Sequence, residues 1–222
     1  MASQKRIERA LNGPGLFEIT LGALMGIVLG VVLGCLYLVL KPVEILTKPP
    51  ATQASVAGDV YFLKGDVNAT KSRQWTRKQQ LLSAGGAAEV LFNEDELNAW
   101  VASATAKAPS DPSKVVVPES VNFRIRDGVM QVGIIGKFQA LEMTHPFVIQ
   151  ARGKFAPGAN GFEFIADELY IGSLPTHRFP GLPQWLIQRA LAAQKLPEEL
   201  TTMWLKLKLV AVEDSMLHVI VP

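Results

Sequence analysis

The chain has 222 residues, with 22 Lys plus Arg, 20 Asp plus Glu and a single cysteine. A net charge of +2 gives no field of the kind that draws a protein onto nucleic acid, and one cysteine excludes any intramolecular disulfide. Beyond residue 40 the chain carries 19 basic and 18 acidic side chains, and the roughly 165 residues that follow the linker suffice for one domain with its own core.

The first predicted element is a membrane helix. From Ile19 to Leu40 run 22 residues without a charge, bounded by Glu18 and Lys41. At ~1.5 Å per residue this stretch crosses the ~30 Å hydrocarbon core of a bilayer once. It is longer than the apolar core of a secretory signal, about 7 to 15 residues. The small-residue site Ser55-Val56-Ala57 lies well beyond it, past Lys41, Glu44 and Lys48. The expectation is an uncleaved, single-pass anchor.

Lys5, Arg6 and Arg9 precede the span against Glu8 and Glu18, while Lys41 and Lys48 follow it with Glu44, a bias that keeps the N-terminus in the cytoplasm and sends the rest outside. Val31 to Cys35 also fits the loose pattern of a lipoprotein cleavage site. Because Leu36 to Leu40 continue the apolar run, a plain anchor is preferred, with lipidation of Cys35 as the alternative.

Gly22, Gly26, Gly30 and Gly34 recur every fourth residue and line one face of the helix. Such a face permits close backbone contact with a second copy or a partner helix. The bland alternative is that glycine is frequent in membrane helices.

Residues 41–58, with Pro42, Pro49 and Pro50, read as a semi-extended linker, and residues 59–222 as the folded domain. Within it, Asp59 to Lys64 suit a short strand. The segment from Thr70 has Trp75, Gln79 and Leu82 at helical spacing and stops at Gly85-Gly86. Val90 to Phe92 precede a second helix, where Asn93 and Glu96 form a capping box and Leu97, Trp100 and Val101 the apolar stripe. Residues 104–118, with three prolines, read as a loop.

From Glu119 the period becomes two. Val121, Phe123 and Ile125 alternate with polar residues up to a tight turn at Asp127-Gly128, and VMQVGII follows. Pro146 to Phe155 and Phe162 to Ile171, separated by PGANG, extend the meander. A helix is predicted over Gln184 to Lys195, then strands over Trp204 to Val212 and Met216 to Val221. The order indicates α+β, with two or three helices covering one face of a curved antiparallel sheet.

Catalytic signals are sparse. His145, His177 and His218 have no metal-ligand spacing, and His177, in a Pro-rich turn, is expected to be solvated. There is no nucleophile elbow or phosphate loop. Asp167 and Glu168 are adjacent in a strand and so point to opposite faces. Glu94, Asp95 and Glu96 sit where a helix dipole favours acids. The expectation is a protein without enzymatic activity, cofactor or metal.

Two binding surfaces are candidates. The basic helix face of Lys71, Arg73, Arg77 and Lys78 is placed to touch anionic headgroups, or is simply a solvated face. Trp185, Leu186, Ile187 and Leu191 are apolar on more than one helix face, and either line a lipid-sized cleft between helix and sheet or fill the core.

The run Phe92 to Asn98 (FNEDELN), together with Leu169 to Pro175 (LYIGSLP) ahead of a helix and a closing hairpin, distantly resembles bacterial membrane-anchored envelope domains of the uncharacterised and phospholipid-binding type. The resemblance covers residues 87–221 in element order and departs from the pattern at His177-Arg178-Phe179, which displace a proline to position 180. It implies a curved antiparallel sheet wrapped on a helix, as in tubular lipid-binding domains, and no catalytic residue; the expected address is the bacterial inner membrane, with the C-terminal domain outside the cytoplasm. The leading expectation is a non-enzymatic, membrane-anchored envelope protein that binds a lipid or other apolar ligand. The alternative is an oligomeric interaction scaffold without a ligand cavity.

Overall fold

The computed structural model describes residues 13–48, 60–65, 71–83, 86–105, 116–140, 143–158, 161–193, 202 and 204–222. The basic residues before the membrane span, the Ser55-Val56-Ala57 site, Gly85 of the helix stop, positions 106–115 of the proline-rich loop, and Gln194 and Lys195 at the predicted helix end lie outside the described residues.

Helix α1 spans Leu16–Leu40, starting three residues before the uncharged run and placing Glu18 in its first turn beside the positive end of the helix dipole. It is 25 residues long with an apolar window of mean hydropathy 2.7, and among the described residues it is the one helix long and apolar enough to cross a membrane. At 1.5 Å per residue it is about 37 Å long. It is apolar all round and carries no buried residue, the pattern of a helix whose surroundings are lipid. Residues up to Val39 and residues from Leu40 onward form two separate compact units.

The second unit begins sooner than the sequence predicts. Strand β1 (Glu44–Leu46) lies inside the stretch read as a linker and pairs in parallel with β2 (Tyr61–Leu63). Only Lys41, Pro42 and Val43 separate α1 from folded structure. Helix α2 (Ser72–Ser83), strand β3 (Ala88–Asn93) and helix α3 (Glu94–Thr105) follow close to their predicted places.

The meander is realised as a five-stranded antiparallel sheet of β4 (Val116–Arg126), β5 (Val129–Ala140), β6 (Met143–Gly158), β7 (Gly161–Ile171) and β8 (Leu174–Pro175), neighbours in space as in sequence. The β4–β5 turn has Asp127 at φ 54° and Gly128 at φ 69°, the two left-handed positions that a tight hairpin needs. The β6–β7 register shifts between Arg152 and Gly153. A side chain at Gly153 would overlap the Ile165 carbonyl, so glycine permits the close backbone approach there.

Helix α4 covers Leu182–Ala193, and the closing hairpin is β9 (Leu209–Glu213) with β10 (Met216–Val221). This hairpin does not extend the long sheet. β10 pairs with β3 from Met216↔Asn93 to Val221↔Ala88, giving a second sheet of order β3-β10-β9. The predicted strand from Trp204 also starts late, because Trp204 and Leu205 are helical. Trp204 Nε1 donates to the Phe162 carbonyl at 2.9 Å and its ring packs 6.1 Å from Phe155, so contacts with the long sheet override the local strand pattern.

The main core joins the two sheets. Ile125 and Met130 of the long sheet cluster with Val90, Phe92, Val210, Leu217, Val219 and Val221 of the short one, together with Leu82 of α2 and Leu97 of α3. The opposite face of the long sheet is covered by β2. Phe62 is 1% exposed, and its ring occupies the space that a side chain at Gly133 would take.

The open edge of β4 is closed by side chains. Asn98 Nδ2 donates to the Phe123 carbonyl at 2.8 Å, and its Oδ1 accepts from the Phe123 amide at 2.6 Å. Glu94, one helical turn earlier, accepts from the Ile125 amide at 3.1 Å. Asn122 treats Gly65 in the same manner, accepting from its amide at 2.5 Å. The predicted capping box is present: the Glu96 amide donates to Asn93 Oδ1 at 2.9 Å, and the Asn93 amide to Glu96 Oε2 at 3.1 Å.

Replacing Asn98 by Ala leaves the amide and carbonyl of Phe123 buried without these partners. The expected cost is about 2–4 kcal/mol, since each orphaned buried polar group costs about 1–3 kcal/mol. Chemical unfolding of the full chain in detergent, compared with a Gln80→Ala control on an exposed helix position, measures it.

Candidate functional site

The pleat of the long sheet sends alternate side chains toward β2. Across β5, β6 and β7 the register places Gln131 opposite Arg152, Gly133 opposite Gln150, Arg152 opposite Glu168 and Gln150 opposite Tyr170, so these residues share one face. Where β2 crosses that face it leaves a cavity of about 260 Å³, lined by Val60, Tyr61 and Leu63 from the β2 side and by Gln131, Gln150, Ala151, Arg152, Glu168 and Tyr170 from the sheet. Its floor is tied down by amides. Gln131 Nε2 donates to Gln150 Oε1 at 3.2 Å, and Gln150 Nε2 donates to the Tyr61 carbonyl at 3.3 Å.

The charges are placed asymmetrically. Gln150 is buried, Glu168 and Tyr170 are half-buried, and Arg152 is exposed. Among the described residues no ion pair joins Arg152 to Glu168, although directly opposed strand neighbours have Cβ atoms only about 4.5–5.5 Å apart. Burial, and then the Glu168 carboxylate, raise the Tyr170 phenol above its ordinary value, while Arg178 lowers it. The phenol therefore stays a neutral donor at physiological pH. Its ring meets His177 edge-on at 5.0 Å.

His177 is not the solvated loop residue expected from sequence. It is half-buried in a one-turn helix over Thr176–Arg178, with Nδ1 3.3 Å from the Leu169 carbonyl. The buried Thr176 hydroxyl donates to the same carbonyl at 2.8 Å, so this turn is held to β7 by two side chains. Among the other histidines, His145 lies in β6 with Nε2 2.6 Å from the Leu40 carbonyl, and His218 lies in β10 near Glu89 at 2.9 Å and Glu213 at 3.6 Å. Among the described residues no group of three His, Cys, Asp or Glu is placed to hold a metal ion.

The residues singled out from sequence are distributed elsewhere. Gly22, Gly26, Gly30 and Gly34 form a bare stripe on α1, where an added side-chain carbon would meet nothing within 4 Å. Trp185 is 58% exposed, Leu186 and Ile187 are half-buried, and the side chain of Leu191 lies outside the described residues. None of the three described side chains lines the cavity.

On α2, Arg73 and Arg77 are exposed, and Lys71, just before the helix, is half-buried. Lys78 is turned inward: Nζ bonds both Glu96 carboxylate oxygens at 2.7 Å and the Leu91 carbonyl at 2.6 Å. It therefore neutralises a buried acid and leaves the exposed basic face to its neighbours.

The cavity residues escaped sequence reading because polar side chains at alternate strand positions look like an ordinary solvent face. The usable signal was the pair of polar positions two apart in each of two paired strands, Gln150 and Arg152 with Glu168 and Tyr170. It acquires meaning only once β2 lies across it.

Ionisation of Tyr170 is disfavoured in the fold, so the unfolded chain releases this proton first as pH rises and stability is lost above about pH 10, the ordinary phenol value. Below that value both states hold the proton and the residue contributes no pH dependence. Tyr170→Phe is expected to flatten the alkaline fall in thermal unfolding temperature and leave the curve near neutrality parallel to that of the parent. When the chain is compared with family models, curated proteins and solved structures, none of the three comparisons gives a match.

Proposed function

We propose that this chain is a single-pass membrane protein of the bacterial inner membrane, with its N-terminus in the cytoplasm and its folded domain outside. The domain acts without catalysis as a lipid-contacting module. The observation that carries this reading is Trp185, 58% exposed on α4 in a domain whose first strand is separated from a membrane-length helix by three residues. Four Cα steps span at most about 14 Å, so the domain is tethered close to the headgroup layer.

Trp is favoured at such an interface because its ring is amphipathic. The same segment also exposes Phe179, at 42%, and the flanking cations Arg178 and Arg189. Together these suit peripheral contact with anionic lipid better than enclosure of an acyl chain, and Arg73 and Arg77 add to the attraction. The bare glycine face of α1 supports helix association in the membrane as an accompanying role, which joins the scaffold reading to this one.

Brominated lipids quench tryptophan at the bilayer interface. In full-length protein reconstituted with brominated, partly anionic lipid, a quenched fraction of the fluorescence is expected that disappears in Trp185→Phe. Equal quenching in parent and variant would exclude contact through α4.

A further inference from the structure

The cavity under β2 is a different place from the α4 surface, and its chemistry is more specific. A carboxylate and a guanidinium that face each other across paired strands normally close on one another. Here, among the described residues, Arg152 and Glu168 are not paired although both line the same cavity. Beside them on the same face stand Gln131, opposite Arg152 on β5, and the neighbouring pair Gln150 and Tyr170, while the apolar part of the wall comes from Val60 and Leu63. The cavity volume, about 260 Å³, falls below the roughly 300–1,000 Å³ typical of sites for drug-sized ligands. An acyl chain would strand these polar groups without partners, whereas a small molecule with one positive and one negative end would satisfy them.

We infer that the cavity binds a small zwitterion, an ammonium group joined by a short spacer to a phosphate, with the ammonium at Glu168 and the phosphate at Arg152. The guanidinium fork matches phosphate oxygens in a bidentate manner. The Glu168 carboxylate accepts hydrogen bonds from an ammonium that still carries N–H groups, and a quaternary ammonium has none to offer. Because Glu168 is half-buried and Arg152 is exposed, the ammonium enters first and the phosphate stays at the rim. This chemistry is found both in an ethanolamine lipid headgroup and in free phosphoethanolamine. Only the choice of lipid as the source rests on the bilayer-contacting reading above.

The test uses full-length protein in phosphatidylcholine nanodiscs, titrated calorimetrically with phosphoethanolamine. Saturable binding is expected, weakened at least tenfold by Glu168→Gln and by Arg152→Gln, with phosphocholine binding more weakly than phosphoethanolamine. Thermal melts of both variants check folding, and Lys154→Gln, an exposed position outside the cavity, serves as the control.

Repeating the titration in nanodiscs that contain phosphatidylethanolamine separates the two sources. Loss of the signal identifies the lipid headgroup as occupant, and an unchanged signal identifies the free molecule. Absence of phosphoethanolamine binding in the phosphatidylcholine nanodiscs, or equal affinity in parent and both cavity variants, overturns the inference. Neither result bears on Trp185 quenching, so the two readings fail separately.

Discussion

The fold depends on how the exposed edge of β4 is closed. An edge strand presents a row of unpaired amides and carbonyls, and among the described residues no further strand takes them up. Instead Glu94 and Asn98, one helical turn apart on α3, bond the amides of Ile125 and Phe123 and the carbonyl of Phe123. Asn98 is 1% exposed, so its amide acts as a buried stand-in for a strand backbone. The same helix is fixed at its start by the Asn93–Glu96 box, and Glu96 is fixed in turn by Lys78 from α2. One short segment, Asn93 to Asn98, thus locks two helices, the end of β3 and the edge of the long sheet. An unpaired buried polar group costs about as much as several surface contacts supply, so these bonds act together.

That locked edge leaves the two faces of the long sheet with different tasks. One face carries Ile125 and Met130 into the main core against the second sheet. The other receives β2, whose Phe62 seats over Gly133, and the gap beside this contact becomes the polar cavity. The strand that roofs the cavity is itself paired in parallel to β1, so the short sheet formed just after α1 in the chain supplies one wall of it.

Most of the element order could be read directly. The uncharged run of α1, the capping box, the Asp127-Gly128 turn and the two-residue alternation of the meander are local signals, and each is present in the structure. The departures share a cause. Glu44–Leu46 looked like linker because its partner strand is distant in sequence, and β3 was not expected beside β10 because pairing between residues more than a hundred positions apart leaves no trace in periodicity. Trp204 looked like the start of a strand because its bond to Phe162 is tertiary.

The sequence by itself determined the membrane-length helix, the α+β class and the positions of most turns, since hydropathy, capping and turn chemistry act within a few residues. Tertiary structure alone decided which polar side chains turn inward or come to line the cavity. Lys78, legible as part of a basic face, is turned inward by a buried carboxylate, and Gln150, Arg152, Glu168 and Tyr170, legible only as a solvent face, are gathered under β2. Burial sets the strength of every charge and hydrogen bond, and burial is a property of the packed chain, not of its local pattern.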